Sequence, residues 1–93
     1  MKEFKCTPSP WFEHREGFST VYIEARIGGG VIQEVAACGP CDKGSEQQQA
    51  NAKLIAAAPE LLDALQDLES RARIYVNTSK AKAAINKALG EKQ

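Results

Sequence analysis

The composition of this 93-residue chain changes after residue 44, and that change most constrains its fold. Residues 1–44 contain six of the seven glycines, three of the four prolines and the only tryptophan, whereas residues 45–93 are rich in alanine, leucine, glutamine and lysine. Glycine and proline favour turns between strands, and the residues of the second part favour helix. We therefore expect a single α+β domain over residues 1–93, with a β region at 1–44 and a helical region at 45–93.

The first part predicts a three-stranded antiparallel meander. Residues 18–27 alternate between apolar and polar, which is the period of a strand with one buried face. The residues expected on that face are Val21, Ile23, Ala25 and Ile27. Gly28, Gly29 and Gly30 favour a hairpin turn into a third strand at 31–38. A first strand is expected at 11–15, followed by a turn at Glu16-Gly17.

The second part predicts a long, bent helix. Residues 46–58 have strong helix propensity, with Ser45 as the N-cap and Gln48 as its capping-box partner. Pro59 is expected in the first turn of a second helical segment, because the apolar stripe continues beyond it. That stripe advances in alternating steps of four and three residues through Leu54, Ala58, Leu61, Leu65, Leu68, Ala72 and Tyr75.

A short C-terminal helix is expected after this long element. Asn77, Thr78 and Ser79 favour a helix boundary, since their side chains are suited to N-caps. The helix is predicted over residues 80–89 and is expected to end at Gly90, because glycine is the common residue at a helix C-terminus. The predicted fold is therefore a β-meander followed by a bent long helix and this short helix.

Charge and hydropathy exclude several classes of protein. Twelve basic residues balance twelve acidic ones, and the mean hydropathy is −0.38. A balanced charge argues against general nucleic-acid binding, which requires a strongly basic surface. No apolar run approaches the roughly 20 residues of a membrane span, and the first residues lack an apolar signal core. We expect a cytoplasmic protein without membrane association.

The supply of large apolar side chains is small for a chain of this length. The chain has three Phe, two Tyr, one Trp and one Met, and many of its other apolar residues are alanine. Alanine favours helix but buries little area, so the core of a monomer is expected to be marginal. Self-association would supply further burial, and we therefore expect a homo-oligomer.

Cys38-Gly39-Pro40-Cys41 is the sequence's clearest chemical motif. The same spacing occurs in thioredoxin-like redox enzymes, but there the first cysteine begins a helix within a βαβ pattern. Here the motif follows a predicted hairpin strand, so a Gly-Pro turn with two incidental thiols is the preferred interpretation. A structural zinc site remains an alternative, with Cys6 and His14 completing four ligands.

No other pattern favours catalysis. His14 is the only histidine and is expected on an exposed strand. No serine lies in a G-x-S-x-G elbow, and the glycine triplet lacks the following helix and Lys-Ser/Thr of a phosphate-binding loop. We therefore expect neither enzymatic activity nor a cofactor, and we assign no metal ligand.

The charges are unevenly distributed along the helical region. Residues 46–69 carry a net charge of −4 and residues 70–92 carry +5. Cations, hydroxyls and amides at a helix start favour phosphate binding, so this basic segment is the predicted ligand site. A solvated and capped helix end is the alternative interpretation. The predicted ligand-binding residues are Arg71, Arg73, Tyr75, Asn77, Thr78, Lys80 and Lys82, together with Arg26 and Trp11 from the β region.

Two segments carry a resemblance to known proteins. ANAKLIAAAPELLDAL at 50–65 resembles a stretch that recurs in small accessory proteins of bacteriophages and prophages. AKAAINKALG at 81–90 resembles their usual C-terminal pattern, A-[RK]-A-A-I-x-K-A-x-G. The chain is also similar in outline to the signal-sequestering proteins that counter Thoeris and CBASS defence, which combine a small antiparallel sheet with helices and assemble as oligomers.

These resemblances imply a function. They imply a non-enzymatic phage protein in the host cytoplasm that sequesters a phosphate-containing cyclic nucleotide. The phosphates would then be neutralised by Arg71, Arg73 and Lys80, with Asn77 and Thr78 as hydrogen-bond donors. A second candidate is a protein–protein inhibitor of a host defence complex, of the anti-CRISPR type, acting through the acidic segment 60–69. A small structural zinc protein is a third candidate, and a virion or regulatory protein is a fourth.

Overall fold

The computed structural model describes residues 6–16, 19–41 and 44–90. Its elements are β1 (Trp11–Glu16), β2 (Thr20–Arg26), β3 (Ile32–Cys38), α1 (Ser45–Ala56), α2 (Ala58–Ala72) and α3 (Ser79–Leu89). The three strands form one antiparallel sheet in the order β1-β2-β3, and three helices follow. The α+β class and the meander are therefore confirmed.

The chain divides into two compact units. The first spans Thr7–Pro59 and contains the sheet and α1; we call it the sheet unit. The second contains α3 and the part of α2 from Glu60 onwards; we call it the helical unit. Because α1 groups with the strands, the units divide after Pro59 and not at the change of composition after residue 44.

The core of the sheet unit lies between β2 and α1. Val21, Ile23 and Ala25 are buried on one face of β2, as the alternation predicts, and Ile23 has no exposed surface. Ala52 of α1 and Cys38 at the end of β3 complete a cluster with Val21 and Ile23. A helix packed on one sheet face leaves the other face to polar residues, which explains the two-residue period of β2.

The hairpin between β2 and β3 is formed by the glycine triplet. Gly28, Gly29 and Gly30 have φ values of 100°, 58° and 75°, a region that residues with side chains seldom adopt. The Val31 N–H donates to the Gly28 carbonyl over 3.0 Å. Ile27 lies outside the buried face and is exposed, so its predicted burial is wrong: β2 ends at Arg26, and Ile27 belongs to the turn. Gly17 of the predicted Glu16-Gly17 turn and Phe18 at the start of the predicted second strand lie outside the described residues.

The start of α1 differs from the predicted capping box. Gly44 is the N-cap, with φ 85° and ψ −165°, and Ser45 is already the first helical residue. The predicted cap at Ser45 is therefore wrong, because the chain enters the helix through a backbone conformation that only glycine adopts readily. Gln48 is not a capping residue either, since its side chain is buried and bonds to the sheet.

The predicted long, bent helix is two helices. α1 ends at Ala56, Ala57 forms a turn, and α2 begins at Ala58 with Pro59 in its first turn. The expected place of Pro59 is confirmed, because proline's missing N–H costs nothing at that position. α2 ends at Ala72, so the expectation that the helical stripe includes Tyr75 is wrong; Tyr75 lies in a turn and is 80% exposed.

The last helix is close to its prediction. Thr78 is the N-cap residue and α3 begins at Ser79, one residue before the expected start. Gly90 ends the helix in the left-handed conformation, with φ 74°, as expected. Within the described ranges, none of the helices has the length and apolar character needed to cross a bilayer.

Candidate ligand-binding site

The nine predicted ligand-binding residues are distributed over both units. Trp11 and Arg26 belong to the sheet unit, and the other seven belong to the helical unit. The Trp11 indole N–H donates to the Thr7 carbonyl over 3.0 Å, and the Arg26 guanidinium lies 5.4 Å from the centre of the Phe12 ring. Both residues thus have local partners within the sheet unit.

Four of the other seven residues make side-chain hydrogen bonds within the helical unit. Arg71 donates to Asp67 over 3.2 Å, and Arg73 donates to Glu69 over 2.6 Å. The Asn77 side-chain oxygen accepts the Ser79 N–H over 2.9 Å. The Asn77 contact fits the alternative interpretation of a capped helix end, because it satisfies a backbone N–H at the start of α3. The two arginine contacts use donors that were expected to bind a ligand.

The fourth contact centres on Glu69, a buried residue of α2 that sequence reasoning missed. The Thr78 hydroxyl donates to one Glu69 carboxylate oxygen over 2.8 Å, while Arg73 bonds to the other. The Thr78 bond is the main cause that lowers the pKa of Glu69, and removal from water opposes it. The positive charges of Arg73 and Lys82 lower the pKa further. Glu69 is therefore ionised at neutral pH, and its carboxylate links α2 to Thr78 at the start of α3.

A pocket lies beside this carboxylate, between α2 and α3. Its cavity volume is about 220 Å³. It is lined by Gln66, Glu69, Ser70 and Arg73 from α2 and by Lys82, Ile85, Asn86 and Leu89 from α3. We call it the Gln66 pocket. One acidic residue, Glu69, and two basic residues, Arg73 and Lys82, give its wall a net positive charge. Ile85 and Leu89 form an apolar side.

The Gln66 side chain has an unusual environment in this pocket. Gln66 is buried, and its side-chain oxygen has no hydrogen-bond partner among the described residues. A buried acceptor without a donor costs free energy, typically about 1–3 kcal/mol, and such groups are uncommon in folded proteins. Gln66 also lines the pocket, so a rotation of its side chain would bring this carbonyl oxygen to a donor on a ligand.

Sequence reasoning missed Gln66 and Glu69 because both are polar residues on a helix. Helical spacing contains a signal that could have found them. Gln66 follows Leu62 by four residues, and Glu69 and Arg73 continue the same face. A row of polar residues that continues an apolar face is a candidate for burial, and Gln66 and Glu69 are buried.

A second groove adjoins α2 and α3 and has a different character. Its volume is about 460 Å³. It is lined by Leu65, Leu68, Glu69, Ala72, Val76, Asn77, Thr78, Lys80, Ala81 and Ala84. Six of these ten residues are apolar and Glu69 also lines the Gln66 pocket, so the two concavities use adjoining faces of α2. We call it the apolar groove.

The cysteine motif is not gathered into a metal site. Cys38 is buried beneath the sheet unit's helix, and the Cys41 sulfur accepts a hydrogen bond from Asn51 over 3.5 Å. In residues 6–16, 19–41 and 44–90 there is no cluster of three or more His, Cys, Asp or Glu side chains suited to one metal ion. The zinc alternative, which needs Cys6 and His14 beside these thiols, has no support in those residues.

The buried Glu69 carboxylate leads to a pH-dependent prediction. Glu69→Gln should be less stable than the wild type at neutral pH, because glutamine loses the charge that Arg73 and Lys82 face. Because the pKa of Glu69 is lower in the folded protein, ionised Glu69 stabilises the fold fully at pH values well above the ordinary glutamate pKa of about 4.3. This stabilisation is lost as the pH falls through the pKa of Glu69 in the folded protein. The stability difference should therefore shrink in acid.

Urea unfolding followed by far-UV circular dichroism at a series of pH values measures this difference. Asp63→Asn, at an exposed position of the same helix, is the matched control and should show a smaller difference at neutral pH. A Glu69→Gln difference that stays constant from neutral pH into strong acid would contradict the assignment of an ionised Glu69.

Comparison with known proteins identifies the chain's family. The family model described as Salmonella phage P22 protein Y8K6 matches residues 1–92. Neither the curated proteins nor the solved structures provide a match. The resemblance to small phage proteins is thus confirmed at the level of a phage protein family. The match covers nearly the whole sequence, and the chain belongs to the family of Salmonella phage P22 protein Y8K6.

Proposed function

We propose that this phage protein is a non-enzymatic accessory protein that counters host antiviral defence. It acts in the host cytoplasm, as a homo-oligomer, by binding and sequestering a phosphate-containing cyclic nucleotide in the Gln66 pocket. The observation that carries this proposal is Gln66, which lines the pocket and whose buried side-chain oxygen has no partner among the described residues. Membership of a phage protein family supports the phage context.

The Gln66 oxygen defines one part of the ligand. When the Gln66 side chain turns towards the pocket, a hydrogen-bond donor that reaches its oxygen removes the cost of an unpaired buried acceptor, and the ligand gains affinity. An exocyclic amine of a nucleobase is such a donor. A ligand without an N–H or O–H at that point leaves the acceptor unpaired and is rejected.

The apolar side of the pocket suits the rest of a base. Ile85 and Leu89 line it, and Ile85 is buried. The volume of about 220 Å³ exceeds the roughly 150 Å³ of a protein cavity that accepts benzene. The pocket therefore accommodates one planar base, and the other parts of a cyclic nucleotide extend outside it.

Two cations supply the attraction for phosphate. Lys82 and Arg73 line the pocket, and no ion pair of Lys82 is found within the described residues. Arg73 keeps further N–H donors beyond its bond to Glu69, because a guanidinium has five. Thr78 positions Glu69 through its hydroxyl, whereas the exposed Tyr75 remains available to the outer part of the ligand.

Titration calorimetry with a panel of cyclic nucleotides tests this proposal. Gln66→Leu should lower the affinity at least tenfold while leaving thermal stability unchanged or higher, because leucine has no unpaired acceptor to bury. Lys82→Gln should also lower the affinity and should weaken its dependence on salt. Arg71→Gln, which removes a cation outside the pocket wall, is the control and should bind as the wild type does.

Two results would overturn the proposal. One is the absence of binding to every cyclic nucleotide in the panel at millimolar ligand. The other is equal affinity of the wild type and Gln66→Leu, since the buried oxygen would then have no role in recognition. Inorganic phosphate serves as a reference, because binding of phosphate alone at the same affinity would mean that no base is recognised.

A protein–protein inhibitor of a host defence complex is the second candidate. Glu60, Asp63 and Asp67 are all exposed on α2, and an acidic helix face resembles a nucleic-acid backbone in charge. Such an inhibitor would compete for a nucleic-acid-binding surface. Copurification of one nucleic-acid-binding complex from host cells, lost on Asp63→Lys but retained on Gln66→Leu, would favour this candidate.

A further inference from the structure

α2 carries a row of apolar residues, the seam, which the rest of the helical unit covers only in part. Leu61, Leu65, Leu68 and Ala72 follow one another in steps of four, three and four residues. This 3.5-residue repeat is typical of a helix that packs lengthwise against other helices. Leu61 is 53% exposed and Leu68 is 62% exposed, so half of the repeat lacks a covering partner among the described residues.

α3 is too small a partner to complete this packing. Between α2 and α3 the apolar groove remains open, with Leu65, Leu68 and Ala72 on one side and Ala81 and Ala84 on the other. Among the described residues of the helical unit, Ile85 is the only buried apolar residue of the core. Two short helices with so little burial do not form a stable unit by themselves.

We propose that α2 of a second copy of this chain closes the apolar groove, forming a symmetric four-helix dimer. In such a dimer the same surface is used by both copies, so it must complement itself. The charges meet this condition. α2 carries Glu60, Asp63, Asp67 and Glu69 against Arg71, and α3 carries Lys80, Lys82 and Lys87 with no acid. The net charges of the two helices are thus −3 and +3.

The spacing of the exposed charges supports the same partner. Glu60 and Asp67 are seven residues apart on α2, and Lys80 and Lys87 are seven residues apart on α3. Each pair spans about 10.5 Å along its helix. All four residues are exposed. When α2 of one copy lies along α3 of the other, both acids face both lysines, and the twofold axis repeats these contacts.

This inference rests on the proposed function and specifies the homo-oligomer that it includes. The two ideas nevertheless depend on different residues. Leu61 and Leu68 do not line the Gln66 pocket, and neither do the four charged residues of the interface. Ligand binding and dimer formation can therefore be lost separately, which allows each idea to fail without the other.

Sedimentation equilibrium on the full chain tests the interface. The wild type should be a dimer at micromolar concentration. A double variant, Leu61→Gln with Leu68→Gln, should be a folded monomer, with the dissociation constant raised at least 100-fold. Ile32→Gln is the matched control, because Ile32 is 52% exposed in the sheet unit; it should remain a dimer. Far-UV circular dichroism confirms that each variant is folded.

Charge reversal identifies the partner as a second copy. Glu60→Lys with Asp67→Lys should be monomeric, and so should Lys80→Glu with Lys87→Glu, because each places like charges across the interface. Mixing the two variants should produce a heterodimer, in which every contact is again between opposite charges. Native mass spectrometry separates the three species by mass, since the two variants differ in mass.

Several outcomes would overturn this inference. A monomeric wild type at high micromolar concentration would mean that another part of the chain, or an unrelated protein, covers the seam. A dimer that persists in the leucine double variant would place the interface elsewhere. Mixed charge variants that form no heterodimer would exclude the pairing of α2 with α3. Nucleotide binding by a wild type that is monomeric would show that the proposed ligand site survives the failure of the dimer.

Discussion

Replacing Ile23 with alanine should lower the free energy of unfolding of the sheet unit by about 2–5 kcal/mol. Ile23 lies at the centre of β2, has no exposed surface, and contacts the cluster that contains Val21, Cys38 and Ala52. The substitution removes buried methyl and methylene groups and leaves a cavity. α1 contributes Ala52, Ile55 and Ala56 to this core, and a close-packed core refills such a space only in part.

Urea unfolding followed by tryptophan fluorescence measures the loss. Trp11 is the only tryptophan and packs against the same cluster, so its emission reports on the sheet unit. Ile32→Ala makes the same chemical change at an exposed position of β3 and should cost no more than about 0.5 kcal/mol. Equal losses at the two positions would contradict the packing of β2 against α1.

Replacing Gln48 with alanine should have the second-largest effect, a loss of about 1–3 kcal/mol. The Gln48 amide group donates to the Ser19 carbonyl over 2.9 Å and to the Cys38 carbonyl over 2.8 Å. One buried side chain therefore joins the residue before β2, the end of β3 and the first turns of α1. Without it, these carbonyl groups lose a donor in a place that water reaches poorly.

The same fluorescence measurement applies, with Gln49→Ala as the control. Gln49 is exposed and adjacent, so both variants gain the same helix propensity from alanine and differ only in the buried bonds. Gln48→Met adds a second comparison, because methionine fills the space but cannot donate. If Gln48→Met were as stable as the wild type, the two hydrogen bonds would contribute nothing.

The sequence predicts the parts of the fold that depend on periodicity and on backbone chemistry. The alternation of Val21, Ile23 and Ala25 predicts β2 because one face of the sheet is buried by α1. The glycine triplet and Pro59 are located correctly, since each residue type has few conformations to choose from at such positions. Local rules of this kind need no knowledge of which element packs on which.

The buried polar groups could not be predicted in this way. Gln48 has high helix propensity and a polar side chain, so its sequence context indicates a solvated capping residue. Its burial depends on the carbonyls of Ser19 and Cys38, which are distant in the sequence and become neighbours only after the sheet forms. Glu69 is a similar case, because its burial depends on the position of Thr78 at the start of the next helix.

The sequence indicates the region of the candidate site and two of the residues that line it. The excess of basic residues after residue 70 points to the start of α3, and Arg73 and Lys82 do line the Gln66 pocket. Charge counting does not reveal that Arg71 pairs with Asp67, nor that Gln66 forms part of the wall. Those details depend on the rotation of α2 about its axis, which is set by packing.

The sequential order of the strands has a kinetic consequence. β1, β2 and β3 pair only with neighbours in the chain, so each pairing closes a short loop. The Glu69–Thr78 bond in the helical unit likewise joins residues nine apart. Domains dominated by such local contacts fold quickly, because little loop entropy is lost before contacts form. The chain is thus suited to reach its native state soon after synthesis. The Gln48 bond to Ser19, 29 residues away in the sequence, is one of the long-range contacts that form later.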